Sequence, residues 1–170
     1  IVGMAQDFVG ANNINLLLPN GQFGTRIMGG NDSASARYIH TQLNPIVDKI
    51  FPSADFPLLD YINDDGLMVE PKWYCPIIPM VLVNGMIGIG TGFSTTIPQF
   101  NPIDCMNNIK RKMDGLPYLS MKPYYRGFTG KIDKVNSEDS TIYILKLVSL
   151  RLITLLKIYH IRYIYNFDRS

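Results

Sequence analysis

The sequence predicts an α+β protein, because helix signals and strand signals alternate along the first 115 of its 170 residues. Apolar residues recur at helical spacing near both ends of this stretch, in residues 1–9 and 101–113. Between them lie short apolar or alternating runs, bounded by Gly, Pro and Asn, that are typical of strands. Hydrophobic residues make up 46% and charged residues 18%, which suits a domain that buries a core.

The first thirty residues predict a helix, a strand and a loop. Apolar positions in residues 1–9 favour a short amphipathic helix, and residues 14–18 favour a buried strand. The turn signal Pro19-Asn20-Gly21 ends that strand. Residues 21–30 then form a glycine-rich loop, which small polar residues follow.

Residues 36–43 alternate in polarity and predict a short strand with one polar, accessible face that carries Tyr38 and His40. A helix is predicted next, since Asn44-Pro45 supplies a cap and a proline suited to the first helical position. This helix is expected to end near Phe51.

The middle of the chain predicts less regular structure. Residues 52–79 are proline-rich and irregular, with a turn at Asn63-Asp64-Asp65-Gly66. The continuous apolar run 77–83 predicts a buried strand. Asn101-Pro102 begins a helix that Asp114-Gly115 ends, with three cations in its last turn, where they suit the helix dipole.

The tail differs in composition from the rest. Residues 141–170 carry a net charge of +4, whereas residues 1–140 carry −2, so bulk charge gives no support for nucleic-acid binding. Charges at positions 146, 151, 157 and 162 disfavour a membrane anchor. Non-native sequence, such as a translated intron or a frameshift, is favoured over an ordinary helix or strand pair.

Cysteine and histidine content limits the kinds of site. Cys75 and Cys105 are thirty residues apart and the histidines are His40 and His160, which supports neither a zinc site nor a disulfide framework. Two thiols weakly favour a reducing compartment. The first residue is Ile1 rather than Met, so we expect a fragment, and the residues after it do not resemble a signal peptide.

Arg37-Tyr38 is the first candidate for chemistry. A tyrosine hydroxyl is a poor nucleophile at neutral pH and attacks a phosphodiester only if it loses its proton and the phosphate charge is offset. A neighbouring guanidinium helps with both. In a regular strand Arg37 and Tyr38 would point to opposite faces, so a joint role needs an irregular backbone. Taken alone the pair is weak evidence, because the chain has ten tyrosines and a structural role is favoured for any one of them.

Two glycine-rich stretches are further candidates. The loop around Arg26 can expose N–H groups to a phosphate, although local sequence alone favours the tip of a tight hairpin. Residues 85–92 follow an apolar run but fail the dinucleotide-binding spacing, because position 93 is Phe. An apolar side chain on such a backbone can instead act as a wedge between base pairs, or simply close a buried strand.

Ordered motifs extend over about three quarters of the chain. They are Ala5-Gln6-Asp7-Phe8-Val9-Gly10-Ala11-Asn12-Asn13, Gly21 to Arg26, Gly29-Gly30-Asn31-Asp32-Ser33-Ala34-Ser35-Ala36-Arg37-Tyr38, Val69-Glu70-Pro71-Lys72-Trp73-Tyr74, Pro76-Ile77-Ile78-Pro79, Asn84-Gly85, Gly88 to Gly92 and the helix to Gly115. Together these motifs resemble the breakage-reunion region of eukaryotic-type (type IIA) DNA topoisomerase II, and the similarity fades near Ile132.

The resemblance implies a winged-helix DNA-binding module in residues 1–75, the start of a mixed α/β tower domain in residues 76–132 and an uncertain tail in residues 133–170. Tyr38 then matches the tyrosine that becomes linked to a DNA 5′-phosphate, and Arg37 the arginine that assists it. Ile89 matches the isoleucine that intercalates and bends DNA. Further DNA-binding residues implied by the motifs are Gln6, Asn12, Asn13, Gln22 and Arg26.

Three positions depart from the usual family pattern. Ala36 stands where proline is often found, and Asn31 where a lysine commonly contacts phosphate. His40 stands where phenylalanine is usual, and a histidine on the tyrosine's face could accept a proton or simply be solvated. None of these changes removes a reacting group.

The resemblance also implies that the enzymatic function belongs to a larger ATP-dependent protein, a homodimer located in the nucleus, or in the host cytoplasm if viral. Mg²⁺ and ATP would be bound by parts of that protein outside this chain, whose sequence has neither a Walker-type loop nor a D-x-D cluster. No metal ligand and no membrane contact are expected. The alternative is a winged-helix module that binds DNA without cleaving it.

Overall fold

The computed structural model describes residues 1–90, 93–137 and 140–146. Within them, four short α-helices and three antiparallel hairpins confirm the expected mixture of helix and strand. The elements are α1 (Val2–Ala5), α2 (Val47–Ile50), β1 (Tyr61–Asp64), β2 (Leu67–Pro71), α3 (Met80–Asn84), β3 (Met86–Gly90), β4 (Phe93–Ile97), α4 (Pro102–Met113), β5 (Lys131–Ser137) and β6 (Ser140–Lys146), with 3-10 turns at Ala36–Tyr38 and Ser53–Leu58.

Two small apolar clusters form the interior of the described residues. The first contains Ala5, Phe23 and Ile39, and so joins α1 to the glycine-rich loop and to the segment after Tyr38. The second is built on Val83 and Cys105, which lie in α3 and α4. The described residues therefore have two separate apolar cores rather than one. Polar contacts contribute to joining the segments around these two cores.

The strands predicted at residues 14–18 and 36–43 are wrong as continuous strands. The two segments run antiparallel but meet only at isolated bridges, Leu17 with Leu43 and Asn20 with His40. A 3-10 turn replaces the start of the second segment, because the Tyr38 amide donates to the Ser35 carbonyl at 2.9 Å. An amide used in a turn is not available to a strand ladder.

The helices predicted in residues 1–9 and between Asn44 and Phe51 are both present but shorter than predicted. Helix α1 has four residues and ends where Gln6 turns to extended backbone. Helix α2 also has four residues and buries Ile50, and the Asn44 side chain accepts from the Ile46 amide at 3.1 Å just before it. Such short helices depend on packing rather than on intrinsic propensity.

Hairpin β1–β2 lies in a stretch predicted to be irregular. Its turn is the predicted one: Asp65 and Gly66 both have positive φ, and the Gly66 amide donates to the Asn63 side chain at 2.8 Å. An Asp-Gly pair suits the two left-handed positions of a tight hairpin turn. Most of the hairpin's side chains are exposed, so no apolar alternation marked its strands in the sequence.

The buried strand predicted at 77–83 is also wrong, since helix α3 begins directly after Pro79. A short, wholly apolar run has no periodicity that separates a buried strand from a buried helix. Pro79 is the residue before the helix and has an extended backbone, with ψ at 90°, so the helical conformation begins only at Met80. Val83 is fully buried at the end of this helix.

Helix α4 confirms the predicted start and end. The Asn101 side chain accepts from the Ile103 amide at 2.9 Å, and Pro102 occupies the first helical position. Lys110, Arg111 and Lys112 lie in the last turn, before Gly115 at φ +72°. Local capping chemistry is sufficient to specify these boundaries.

Strands β5 and β6 form a hairpin in which Lys131 pairs with Lys146 and Ser137 with Ser140. The described part of the expected tail is therefore paired backbone up to residue 146. The remainder of the tail, residues 147–170, for which non-native sequence was favoured, lies outside the described residues.

Candidate active site

Tyr38 lies at the end of the 3-10 turn, where the backbone is fixed but the side chain is free. The next residue, Ile39, is extended and buried in the first apolar cluster. The Tyr38 side chain itself is 71% exposed. A buried neighbour thus anchors the chain while the hydroxyl remains accessible to a large ligand.

Arg37 lies directly beside this ring. Its guanidinium carbon is 5.7 Å from the centroid of the Tyr38 ring, within the range of a cation–π contact. The irregular backbone that a joint role requires is present, because the turn replaces the strand that would have separated the two side chains. The pair therefore places a phenol hydroxyl and a guanidinium at one exposed point.

His40 follows on the same segment and is exposed. Its backbone is fixed by two hydrogen bonds with Asn20. The His40 amide donates to the Asn20 carbonyl at 3.0 Å, and the Asn20 amide donates to the His40 carbonyl at 3.2 Å. These bonds hold the chain just beyond Tyr38 to the segment that precedes the glycine-rich loop. The role of His40 as a proton acceptor stays a prediction.

The glycine-rich loop is closed by Thr25 and Asp32. The Thr25 amide and hydroxyl donate to the two Asp32 carboxylate oxygens, both at 2.7 Å. These hydrogen bonds, the backbone one first, hold the pKa of Asp32 below its usual value. The Gly30 amide also donates to the Thr25 carbonyl at 2.9 Å. Sequence reasoning missed this lock, although a Thr and an Asp seven residues apart across glycines could have suggested it.

Glycine is required where the two sides of this loop cross. Gly24 has φ +99°, and a Cβ there would lie 2.6 Å from the Gly30 carbonyl oxygen. Such a distance is a clash with backbone, which cannot move aside as a side chain can. The two sides of the loop are thus as close as backbone allows.

Arg26 and Gln22, both predicted to contact DNA, are exposed on this loop. The Gln22 side chain also accepts from the Gly24 amide at 3.4 Å. Ile27, beside Arg26, is 91% exposed. The loop therefore presents a cation and an amide to solvent on a backbone that the Thr25–Asp32 lock holds in place.

Gln6 and Asn12 have their amide groups turned to the protein. The Gln6 amide nitrogen donates to the carbonyls of Phe23 at 2.9 Å and Gly30 at 3.2 Å, and so ties α1 to both sides of the loop. The Asn12 amide nitrogen donates to the carbonyls of Gly3 at 2.6 Å and Gln6 at 2.8 Å. In this arrangement both side chains support the loop and its approach from α1.

Asn13 is 4% exposed and is bonded to residues far along the chain. Its amide nitrogen donates to the carbonyls of Val83, Phe100 and Tyr124, and its oxygen accepts from the Arg126 amide. The structure therefore joins the segment before the glycine-rich loop to α3 and to the chain beyond α4. Arg126 belongs to this junction, and no local sequence signal pointed to it.

Ile89 lies on hairpin β3–β4, where it pairs with Ser94. Its side chain is 96% exposed, and that of Ile87, two residues earlier on the same strand, is 82% exposed. Two large aliphatic side chains held on one face of a hairpin and turned to water are unusual in a core-forming strand. They form an apolar projection that can insert into a partner.

No three His, Cys, Asp or Glu side chains lie together in a metal-binding arrangement among the residues that the structure describes. The described part of the chain therefore offers no cage for a divalent cation. Nor does any helix within it have the length and apolar character needed to cross a bilayer.

The family model that describes the A-type chain of DNA gyrase/topoisomerase IV matches residues 1–152. The chain belongs to the type IIA DNA topoisomerases. The match also continues past Ile132, where the similarity was expected to fade, so that expectation was wrong.

Individual topoisomerases support the same membership. The chain is 60% identical over 139 residues to DNA topoisomerase 2 of Arabidopsis thaliana, covering 82% of the chain and 9% of the relative. It is 56% identical over 135 residues to DNA topoisomerase 2 of Saccharomyces cerevisiae, covering 79% of the chain and 10% of that relative. The chain thus spans about a tenth of the length of these topoisomerases.

A solved topoisomerase structure shares the fold. The crystal structure of the Plasmodium falciparum topoisomerase II DNA-binding, cleavage and re-ligation domain matches with a TM-score of 0.75 and 47% identity. The match covers 84% of this chain and 19% of that one. The mixed α/β fold of this topoisomerase chain is therefore that of part of a DNA-binding and cleavage domain.

Proposed function

We propose that this chain is the strand-cleaving segment of an ATP-dependent type IIA topoisomerase that passes one DNA duplex through a break in another. Tyr38 is the nucleophile. Its oxygen forms a bond to phosphorus while the bond from phosphorus to the 3′ oxygen breaks, which leaves a 5′-phosphotyrosine and a 3′-hydroxyl. The phenol proton is released and the departing 3′ oxygen takes up a proton. In the reverse reaction the 3′-hydroxyl attacks the phosphotyrosine and rejoins the strand.

The observation that carries this proposal is the pairing of an exposed Tyr38 with Arg37 on a fixed turn, in a member of this family. Arg37 contacts the same phosphate and offsets the charge that grows on its oxygens during attack. The Tyr38 hydroxyl group is accessible to a backbone phosphate, because the side chain is already in solvent. Its fixed backbone limits the entropy lost on reaching the reacting geometry.

Arg26 and Gln22 are proposed to contact the DNA backbone from the glycine-rich loop. Contacts of this kind fix the position of a duplex without reading its sequence. Gln6 and Asn12 are proposed to act in the same interface by holding the loop, which suits the intramolecular hydrogen bonds of their amides. Asn13 is proposed to serve the interface from below the surface, because it is buried.

Ile89 is proposed to insert between base pairs and bend the cleaved duplex. A wedge of this kind needs an apolar side chain that projects from a rigid backbone, and Ile89 is nearly fully exposed on a paired strand. Unstacking one base step costs a few kcal/mol, which the additional contacts of a bent duplex offset.

The domain assignment follows the family pattern. Residues 1–75 are proposed to form a winged-helix module with the nucleophile, residues 76–132 the start of a tower domain, and residues 133–170 a tail. Mg²⁺ and ATP are proposed to bind parts of the parent enzyme beyond this chain, whose described residues provide no metal site. The parent enzyme is proposed to be a nuclear homodimer (or one of the host cytoplasm, if viral) whose partner is double-stranded DNA.

The test is a chimaera in which this chain replaces its matching segment in the Saccharomyces cerevisiae enzyme. Supercoiled plasmid is incubated with Mg²⁺, denatured with detergent and assayed for protein-linked DNA. We expect Tyr38→Phe to abolish the covalent complex and leave filter-binding affinity within about twofold, because only the reacting oxygen is lost.

Another exposed tyrosine provides the control. Tyr118→Phe, at a side chain 64% exposed, should leave the covalent complex unchanged. Undiminished covalent complex in Tyr38→Phe would refute the assignment of the nucleophile. Tight DNA binding by the unmutated chimaera without any covalent complex would favour a winged-helix module that binds DNA but does not cleave it.

A further inference from the structure

The Asn13 side chain makes four hydrogen bonds to backbone groups in the described structure. Its amide nitrogen is 2.9 Å from the Val83 carbonyl oxygen, 3.2 Å from that of Phe100 and 2.9 Å from that of Tyr124. Its oxygen accepts from the Arg126 amide at 2.8 Å. A primary amide has two N–H groups, so three carbonyls exhaust its donors. Nothing remains for a DNA phosphate, and the side chain is 4% exposed.

The same segment of chain is joined to both ends of hairpin β3–β4. On the side that enters β3, the Asn84 side-chain nitrogen donates to the Ile14 carbonyl at 2.8 Å. The Asn84 side-chain oxygen accepts from the Ile14 backbone amide at 2.9 Å. On the side that leaves β4, the Gln99 side-chain nitrogen donates to the Ala11 carbonyl. Asn13 contacts the chain on both sides, at Val83 and at Phe100.

The residues that follow Asn13 are hydrogen-bonded to the segment that carries Tyr38. The Leu18 amide donates to the Gln42 carbonyl at 2.9 Å, and Asn20 exchanges two hydrogen bonds with His40. His40 is two residues from Tyr38, and the buried Ile39 lies between them. A single segment, residues 11–20, is therefore bonded at one end to the hairpin that carries Ile89 and at the other to the chain that carries Tyr38.

We propose that Asn13 is a positioning residue that couples the placement of hairpin β3–β4 to the placement of Tyr38. This rests on the proposed function, in which Ile89 bends DNA and Tyr38 cleaves it. A hairpin displaced by bent DNA moves its two ends, and the hydrogen bonds of Asn13 carry that displacement into residues 11–20. Tyr38 then reaches the phosphate in the bent duplex and is withheld from a straight one.

The chemistry of the junction explains why the residue is an asparagine. An aliphatic side chain of similar size would remove the hydrogen bonds that Asn13 makes to three carbonyls and one amide, of which the Val83 carbonyl is buried and the others partly buried, which is costly. An aspartate would place a carboxylate against three carbonyl oxygens. A fully satisfied polar network in a poorly solvated junction fixes one geometry, whereas apolar contacts permit sliding.

The test is a double-mutant cycle in the chimaera, with Ile89→Ala and Asn13→Ala made singly and together. DNA bending is followed by energy transfer between dyes on the two ends of a duplex, and cleavage by the fraction of DNA trapped covalently. With Asn13 present, Ile89→Ala should lower the trapped fraction on the order of tenfold. With Asn13→Ala, the same change should matter less than about twofold, because bending no longer reaches Tyr38.

Asn108→Ala is the matched control. Asn108 is also a buried asparagine bonded to backbone, donating to the Leu119 carbonyl at 2.9 Å and accepting from the Leu119 amide at 2.8 Å, but it lies outside the junction. A purely structural loss should affect both asparagine variants alike. The effect of Ile89→Ala should persist in Asn108→Ala and disappear only in Asn13→Ala.

Asn84→Ala repeats the test at a less buried residue of the same junction, should Asn13→Ala fail to fold. Additive effects of Ile89 with both Asn13 and Asn84 would overturn the coupling while leaving the proposed function intact. No effect of Ile89→Ala on cleavage would also overturn it, since no bending signal would then exist to transmit. A chimaera that forms no covalent complex at all would overturn the proposed function and this inference together.

Discussion

At the scale of single residues, the site depends on the contrast between fixed backbone and free side chains. Tyr38 and Arg26 are exposed, yet each follows a segment held by short hydrogen bonds. The side chains that hold the glycine-rich loop, above all Asp32 and Gln6, accept from or donate to its backbone. Exposed residues therefore carry the proposed chemistry, and partly buried neighbours fix the backbone of the loop.

Asp32 makes the glycine-rich loop sensitive to acid. The hydrogen bonds from Thr25 lower the Asp32 pKa, so the carboxylate stabilises the folded loop above the unfolded pKa of about 4. That stabilisation should be lost as the pH falls from about 4 through the lower folded pKa. Hydrogen exchange at the Thr25 and Gly30 amides, measured across this range, should speed up beyond the intrinsic pH effect.

Asp32→Asn is the control for this prediction. An asparagine keeps the shape and one acceptor but does not titrate in this range. The extra acceleration of exchange at low pH should disappear in the variant. The same acceleration in both proteins would show that another acidic group is responsible.

How far single residues could be predicted depended on the range of their contacts. Tyr38, Arg37 and Ile89 were identified through ordered motifs, since no local chemistry distinguishes them from other residues of their types. Asn13 was assigned to the DNA surface, whereas its partners are up to 113 residues away in the chain. A contact of that range leaves no periodic trace in a sequence.

At the scale of elements, capping chemistry separates those that could be predicted from those that could not. Helix α4 has a proline, an asparagine cap and a glycine at its ends, and its boundaries were predicted. Helix α3 lies in an apolar run without periodicity, where burial favours strand and helix equally. Hairpin β1–β2 exposes most of its side chains, so only its Asp65-Gly66 turn was readable.

Hairpin β3–β4 provides the prediction at this scale, through two of its glycines. Gly85 has φ +70°, and a Cβ there would lie 2.7 Å from the Ile97 carbonyl oxygen. Gly85→Ala should therefore destabilise the base of the hairpin by at least about 1 kcal/mol. Hydrogen exchange of the β3 and β4 amides in the chimaera should become correspondingly faster.

Gly88→Ala is the matched substitution within the same hairpin. A Cβ at Gly88 meets nothing within 4 Å, and its backbone lies outside the left-handed region. The change should leave exchange unaltered or slow it slightly, because alanine restricts the unfolded chain. Equal acceleration by both substitutions would mean that side-chain bulk, rather than the conformation at Gly85, limits the hairpin.

At the scale of the whole molecule, the charge of the chain contrasts with the polyanion proposed as its substrate. Residues 1–140 carry a net charge of −2, within a total of +2 for the chain. The proposed DNA binding by this segment would therefore depend on local cations such as Arg26 and Arg37 and on the rest of the parent enzyme. The described residues also offer no metal cage. Much of the proposed function thus resides in an assembly of which this chain is about a tenth by length.

The number of nucleophiles in that assembly determines the product of cleavage. In the proposed homodimer each protomer contributes one Tyr38, and each tyrosine is expected to attack one strand. A heterodimer purified with two different affinity tags, one protomer unmutated and the other Tyr38→Phe, should therefore yield nicked circles when DNA is trapped with detergent. The unmutated homodimer should yield linear DNA under the same conditions, and the homodimeric variant neither product. Linear DNA from the heterodimer would mean that one Tyr38 cleaves both strands or that a second nucleophile exists. Nicked circles alone from the unmutated homodimer would instead mean that only one of the two tyrosines cleaves.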